Sequence, residues 1–224
     1  MGQAIGDLLP SAVGVALSPV PIIAVILMLG TPRARTNGPA FGLGLVVGLV
    51  VVSVIVVLVA SGSDDPDSGS STAVDWIELL FGLAFLVLAF GQWRKRPQPG
   101  YEPEMPKWMA AIDTFEPAAS FGFGAALSGA NPKNLALTLA AAASIAQAGL
   151  SGGGTAVAIG VFVIIGSITV AGPVIFFMAA GDKAKAPLAA IKDFMSEHNA
   201  VIMMIVLLVL GAKLLGQGIA GLSD

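Results

Sequence analysis

Six stretches of this chain are apolar over lengths that a water-soluble fold seldom needs. They cover residues 5–30, 39–61, 74–93, 117–148, 155–180 and 199–219. A helix takes about 20 apolar residues to cross the hydrocarbon core of a bilayer, and each stretch is of that order. Only 11 % of the residues are charged, against roughly 25 % in a soluble domain. The short alternating segments of a membrane β-barrel are missing. The expected class is an all-α polytopic membrane protein with six transmembrane helices.

Charge placement sets the expected topology. Arg33 and Arg35 lie in the first connector, Arg94, Lys95, Arg96 and Lys107 in the third, and Lys183, Lys185 and Lys192 in the fifth. The second and fourth connectors and both tails carry no Lys or Arg. Basic residues stay on the cytoplasmic side, so the odd connectors are expected there. The protein is then expected in the cytoplasmic membrane with both termini extracytoplasmic. Trp76 and Trp93 stand 17 residues apart, about 25 Å along a helix, which suits an aromatic belt at each interface. Arg33 is the first basic residue, so no basic leader precedes the first apolar segment, which is expected to stay as a membrane helix.

The longest connector divides the chain into two halves of three helices. The expected organisation is a first repeat at 1–93, a cytoplasmic linker at 94–116 and a second repeat at 117–224. Part of the linker, around Lys107–Thr114, is a candidate interfacial helix, and the acidic "SDDPDSGSS" reads as a solvated loop. An odd helix number per half means that repeats, if present, are inverted relative to each other. Ala16-Leu17-Ser18 matches Ala126-Leu127-Ser128, and Pro21 matches Pro132 after a one-residue gap. Gly42/Gly48 match Gly160/Gly166, and Gly91-Gln92 match Gly216-Gln217. Inverted repeats with interrupted helices are a transporter architecture.

Two stretches carry the candidate site. "LSPVP" holds Ser18, Pro19 and Pro21. Two prolines one residue apart should break the first helix, and the freed carbonyls need burial in protein or a wet cavity. A plain structural kink is the alternative. "SGANPKN" holds Ser128, Asn131, Pro132, Lys133 and Asn134. Lys133 lies about 16 residues from either end of its segment, roughly 24 Å along a helix, too deep for easy snorkelling. A lysine in mid-membrane costs roughly 2.5–3.5 kcal/mol on insertion scales, so a substrate-binding role is expected. Alanine at 133 should then insert normally and lose transport. Asp113, Glu116 and Lys213 are candidates for a proton or charge relay, with a solvated cap (Asp113, Glu116) and a snorkelling side chain (Lys213) as their ordinary readings. Pro173 reads as a kink, and the glycines along 42–48 and 160–172 as allowing close helix packing.

Several functions are not expected. The chain has no cysteine and one histidine, His198, which leaves no thiolate or histidine metal site. "GLSGGGT" lacks the lysine of a nucleotide-binding loop, and no Ser/His/Asp set can be assembled. No enzyme activity, cofactor or nucleic-acid partner is expected.

The stretches "ALSPVPIIAVILML", "GTPRARTNGPAFGLGLVVGL" and "SGANPKNLALTLAAAASIA" resemble the GAP family of actinobacterial membrane proteins. Those are the glycopeptidolipid- and sulfolipid-addressing proteins, grouped in the LysE-type exporter superfamily. The resemblance runs over nearly the whole chain and is most specific at Ser18–Pro21, Pro32–Arg35 and Asn131–Asn134. It implies two inverted three-helix repeats with broken first helices. It also implies outward movement of a cell-envelope glycolipid or related amphiphile. Amino-acid exporters of the superfamily tend to carry Pro-Gly-Pro where this chain has Pro19-Val20-Pro21. The substrate expected is an anionic glycolipid or lipid-linked precursor, held by Lys133 with Asn131, Asn134 and Ser128. Two other readings stand beside it: a proton-driven exporter of a small hydrophilic solute, and a non-transporting scaffold for envelope-lipid export. A homodimer and the envelope-lipid export machinery are the protein partners considered.

The topology has a direct test. A periplasm-active alkaline phosphatase fused after Asp224 should be active, and a cytoplasm-only reporter there should stay silent. The reverse result contradicts the charge assignment.

Overall fold

The computed structural model describes residues 1–61, 70–94, 109 and 111–222. The acidic second connector and most of the linker, with Lys95, Arg96 and Lys107, lie outside the described residues. The described residues are helical apart from short joints, with no strand among them. In chain order the helices are α1 (Gly2–Ala16), α2 (Pro19–Gly30), α3 (Ala34–Ser61) and α4 (Ser70–Arg94). A 3-10 turn at Ile112–Thr114 leads to α5 (Pro117–Gly129) and α6 (Pro132–Gln147). Then come α7 (Gly152–Ala180), a 3-10 turn at Gly181–Ala184, α8 (Lys185–Glu197) and α9 (Asn199–Gly221).

By length and apolarity, three helical stretches can cross a membrane: Ala34–Val59, Gly152–Glu197 and Asn199–Gly221. A fourth crossing is made if α1 and α2, bent by 48° at their break, form one span. The stretch expected as a fourth span, 117–148, is instead two helices of 13 and 16 residues. Leu79–Arg94 is apolar but shorter. The fifth connector, expected as a joint, is largely the helix α8.

The breaks follow from backbone chemistry. Pro19 is the first residue of α2 and Pro132 the first of α6. At that position the missing N–H would have no intrahelical partner anyway, and the fixed φ suits a helix start. Each proline is preceded by a polar N-cap in extended conformation, Ser18 and Asn131. The residue before a proline disfavours helical geometry, so α1 and α5 stop there. Both breaks thus have the same local form, a polar N-cap followed by proline: Ser18-Pro19 and Asn131-Pro132. Pro173 breaks nothing, and α7 continues through it.

The chain forms two compact units. One comprises Met1–Gly62 and Pro103–Ser196, the other Ser63–Glu102 and Glu197–Asp224. In the first unit, α3 packs on α5 and α7 packs on α1; α3 meets α6 and α7 meets α2; α2 adjoins α3 and α6 adjoins α7. α1 also packs on α6, and α3 on α7. In the second unit α4 packs on α9.

Glycines set the helix directions. A Cβ on Gly44 would strike the backbone of Phe121, and one on Gly48 would strike Ser128 Oγ and the backbone of Ala125. A Cβ on Gly124 would strike the backbone of Phe41. Residue numbers rise together along this contact, so α3 and α5 run parallel. Asn37 Nδ2 donates to the Phe115 carbonyl at 2.8 Å and joins the starts of both helices. The α1–α7 contact is also parallel: Gly154 lies beside Met1, and Gly166 beside Val15. Gly38 and Gly42 of α3 face Val174 of α7, while Leu49 lies beside Gly166, which makes that pair antiparallel. In the second unit Gly82 faces Leu215 and Gly211 faces Leu86, again antiparallel.

Close approach thus uses Gly44, Gly48, Gly124 and Gly166, and in the second unit Gly82 and Gly211. Gly160 and Gly172 look onto open space and do not serve the packing role expected of them. A helix surface of this length has more glycines than it has crossing points.

Gly44→Ala should therefore destabilise the protein by about 1–3 kcal/mol, the usual cost of overpacking, because its neighbour is backbone. Gly160→Ala should not. Thermal unfolding of the two purified variants in the same detergent checks the contrast; equal melting temperatures would refute the parallel α3–α5 contact.

Candidate functional site

The break between α1 and α2 leaves helix-end carbonyls inside the protein. Ser18 N–H bonds back three residues to Val15 O at 3.1 Å, so the Gly14 carbonyl loses its usual i+4 donor. The Ala16 carbonyl would be served by Val20 N–H, but the chain turns into α2 first. In an apolar interior an unmet carbonyl costs about 1–3 kcal/mol. Both carbonyls find donors from the second half of the chain. Lys133 Nζ donates to Gly14 O at 2.9 Å in a buried bond. Thr169 Oγ1 of α7 donates to Ala16 O at 2.6 Å.

The second break is served locally. Asn131 Oδ1 accepts from Lys133 N–H at 3.1 Å and caps α6. The Leu127 carbonyl would have taken the Asn131 N–H; it accepts from Asn134 Nδ2 at 3.1 Å instead. Thr138 Oγ1 donates to the Asn134 carbonyl at 2.8 Å. Asn134 is 1 % exposed, and its Oδ1 accepts no hydrogen bond among the described residues.

Electrostatics explain the direction of Lys133. It is the second residue of α6, where the helix dipole presents positive charge and repels an ammonium. The C-terminal end of α1 presents negative charge. Reaching from one to the other removes an unfavourable interaction and makes a favourable one. At 8 % exposure the side chain is buried as a whole. The structure brings Lys133, Asn131 and Asn134 together around the α6 start, with the end of α1 against Lys133. Ser18, Pro19 and Pro21 are buried on the α2 side of the first break. Ser18 makes no side-chain cap bond. Pro132 is exposed. Ser128 points its hydroxyl to the Ala125 carbonyl at 2.8 Å, facing Gly48 of α3.

The relay candidates stand apart. Glu116 precedes α5 without a side-chain cap bond and pairs with Arg33 at 3.2 Å, both side chains more than half exposed. Such a pair is worth about 0–1 kcal/mol. All 13 residues of α5, about 20 Å of helix, separate Glu116 from the Lys133 break. Asp113 is exposed on the 3-10 turn. Lys213 is half-buried in α9, in the second unit.

Gly14 and Thr169 were not legible as partners. A glycine carbonyl leaves no side-chain signal, and Thr169 is one of several hydroxyls in the apolar "GSITVAG". The weak clue was a hydrogen-bonding side chain in a span that has no water to satisfy it.

Residues 8–220 match the family described as Sap, sulfolipid-1-addressing protein. The chain belongs to that family. The match covers both broken helix pairs and Lys133, so the resemblance read from "SPVP" and "NPKN" holds at family level. No curated protein and no solved structure matches the chain.

The Gly14–Lys133 bond alters the expectation for Lys133→Ala. Removing the ammonium relieves an insertion cost but strands the Gly14 carbonyl. Alanine at 133 should insert yet lower stability by about 1–3 kcal/mol, and Thr169→Val should lose a similar amount at the same helix end. Thermal melts of both single variants and the double variant check this. Wild-type stability in Lys133→Ala would show that Gly14 needs no donor.

Proposed function

We propose that this protein moves an anionic envelope lipid outward across the cytoplasmic membrane, without covalent chemistry. The observation that carries the reading is the buried Lys133 ammonium at the junction of two broken helices, in a chain of a sulfolipid-addressing family. A sulfated lipid is an anion, and a cation in a water-poor interior attracts it more strongly than one in water. In the conformation described here the Gly14 carbonyl holds Lys133. When the breaks flex, the same ammonium can exchange that carbonyl for a head group. Asn131 and Asn134 flank it, and the Asn134 Oδ1 acceptor is available for a donor on the substrate.

Six crossings in two inverted repeats fit this reading. The starts of α3 and α5 lie together, as expected if connectors one and three share the cytoplasmic side. The starts of α1 and α7 also lie together, as expected if the N-terminus and connector four share the other side. The antiparallel α3–α7 and α4–α9 contacts agree with alternating crossings. Interchange of the two repeats would supply alternating access, and the reading carries with it membership of the LysE-type exporters. Envelope-lipid machinery is the partner class for receiving the lipid.

The test is reconstitution into liposomes with a fluorescent sulfated glycolipid and a zwitterionic lipid of equal chain length. Inward- and outward-facing label is separated by a membrane-impermeant quencher. The sulfated lipid should cross at least about tenfold faster, equivalent to about 1.4 kcal/mol of selectivity. Lys133→Met should abolish that preference, while Thr169→Val, weakened at the same helix end, should keep it. No lipid movement, or equal rates for both lipids, overturns the proposal.

A further inference from the structure

Helix α8 is too polar to cross a membrane and too apolar for water. It is placed between two helices that both reach the bilayer. The 29 residues of α7 span about 43 Å, more than the roughly 30 Å hydrocarbon core, so α7 by itself accounts for one crossing. The 23 residues of α9 span about 34 Å, little more than another crossing needs. Only His198 separates α8 from α9. If α8 projected straight away from the membrane, α9 would begin about 20 Å out, and its apolar first turns would stand in water. Connectivity therefore requires α8 to lie along the membrane face. Gly181 ends α7: at φ 58° it adopts a conformation that L side chains rarely take.

The faces of α8 fit that placement. At 100° per residue, Pro187, Leu188, Ile191, Phe194 and Met195 share one side of the helix. Leu188, at 3 % exposure, is packed inward. Ile191 and Phe194 are 43 % and 53 % exposed, large apolar side chains aimed outward. Their exposure continues that of Ile175, Phe176 and Met178 in the last turns of α7, a stretch that faces lipid if α7 crosses. Lys192 borders the apolar side, as snorkelling lysines do, and its partner Asp193, at 3.0 Å, lies on the far side. From Gly181 to Glu197 there are three lysines and three acids, so apolar burial rather than net charge must hold the helix down.

We infer that α8 is an in-plane helix that seats Pro187, Ile191 and Phe194 in the boundary between head groups and acyl chains at the α7 exit. The occupant of this surface is the lipid bilayer itself. The inference does not depend on which lipid the protein moves.

The absence of cysteine makes the test clean. Single variants Ile191→Cys, Phe194→Cys and Asp193→Cys are spin-labelled and reconstituted in nanodiscs. Relaxation by oxygen, concentrated in hydrocarbon, is compared with relaxation by a water-soluble nickel chelate. Labels at 191 and 194 should favour oxygen and report a depth of about 5–10 Å, the usual seat of interfacial helices. The label at 193 should favour nickel. Depths should be alike in zwitterionic and anionic discs. Nickel access at 191 and 194 would show α8 in water. Shielding of both from either reagent would show a protein cover, such as a second copy. Either result overturns the inference.

Discussion

The structure depends on one constraint: a helix that ends inside a membrane protein exposes carbonyls that water cannot reach. The break at Leu17–Ser18 creates the problem, because Pro19 starts a new helix and cannot extend the old one. Lys133 and Thr169 solve it by donating to Gly14 and Ala16. Both donors come from the second half of the chain. The first broken helix is not satisfied from its own half, so the halves are held together by hydrogen-bonding need as well as by packing. At the second break Asn134 serves Leu127 from within the same half. The polar chemistry is therefore unequal: position two of α6 is Lys133, while position two of α2 is Val20.

That inequality leaves one charged side chain, Lys133, where the two breaks meet. The close glycine contacts lie elsewhere. Gly44, Gly48 and Gly124 bring α3 and α5 to backbone contact, where any larger residue would force the helices apart.

Much of this was readable from residue order. The apolar runs, the break at "SPVP", the break at "NPKN" and the importance of Lys133 all follow from proline geometry and the cost of a charge in hydrocarbon. Each break is positioned by a polar N-cap and its following proline, Ser18-Pro19 and Asn131-Pro132, whereas the Ala-Leu-Ser triplets lie just upstream of the prolines. The glycines were only partly legible. Gly48 and Gly160 look alike in sequence, but only Gly48 sits where another backbone passes. The helicity of α8 was hidden by its lysines and Pro187, which read as a connector, although proline is tolerated in a first turn.

The sequence by itself determined that the chain belongs in a membrane, which helices are interrupted, and where a lone lysine would be costly enough to need a reason. Each of these is local, set by a few neighbouring residues and their solvent. The tertiary structure decided what Lys133 holds, that α3 and α5 run side by side in the same direction, and which glycines are contact points. Those depend on groups far apart in the chain, as Gly44 and Phe121 or Gly14 and Lys133 are. Such pairs leave no mark in local composition, because a backbone carbonyl is the same at every residue until folding removes its donor.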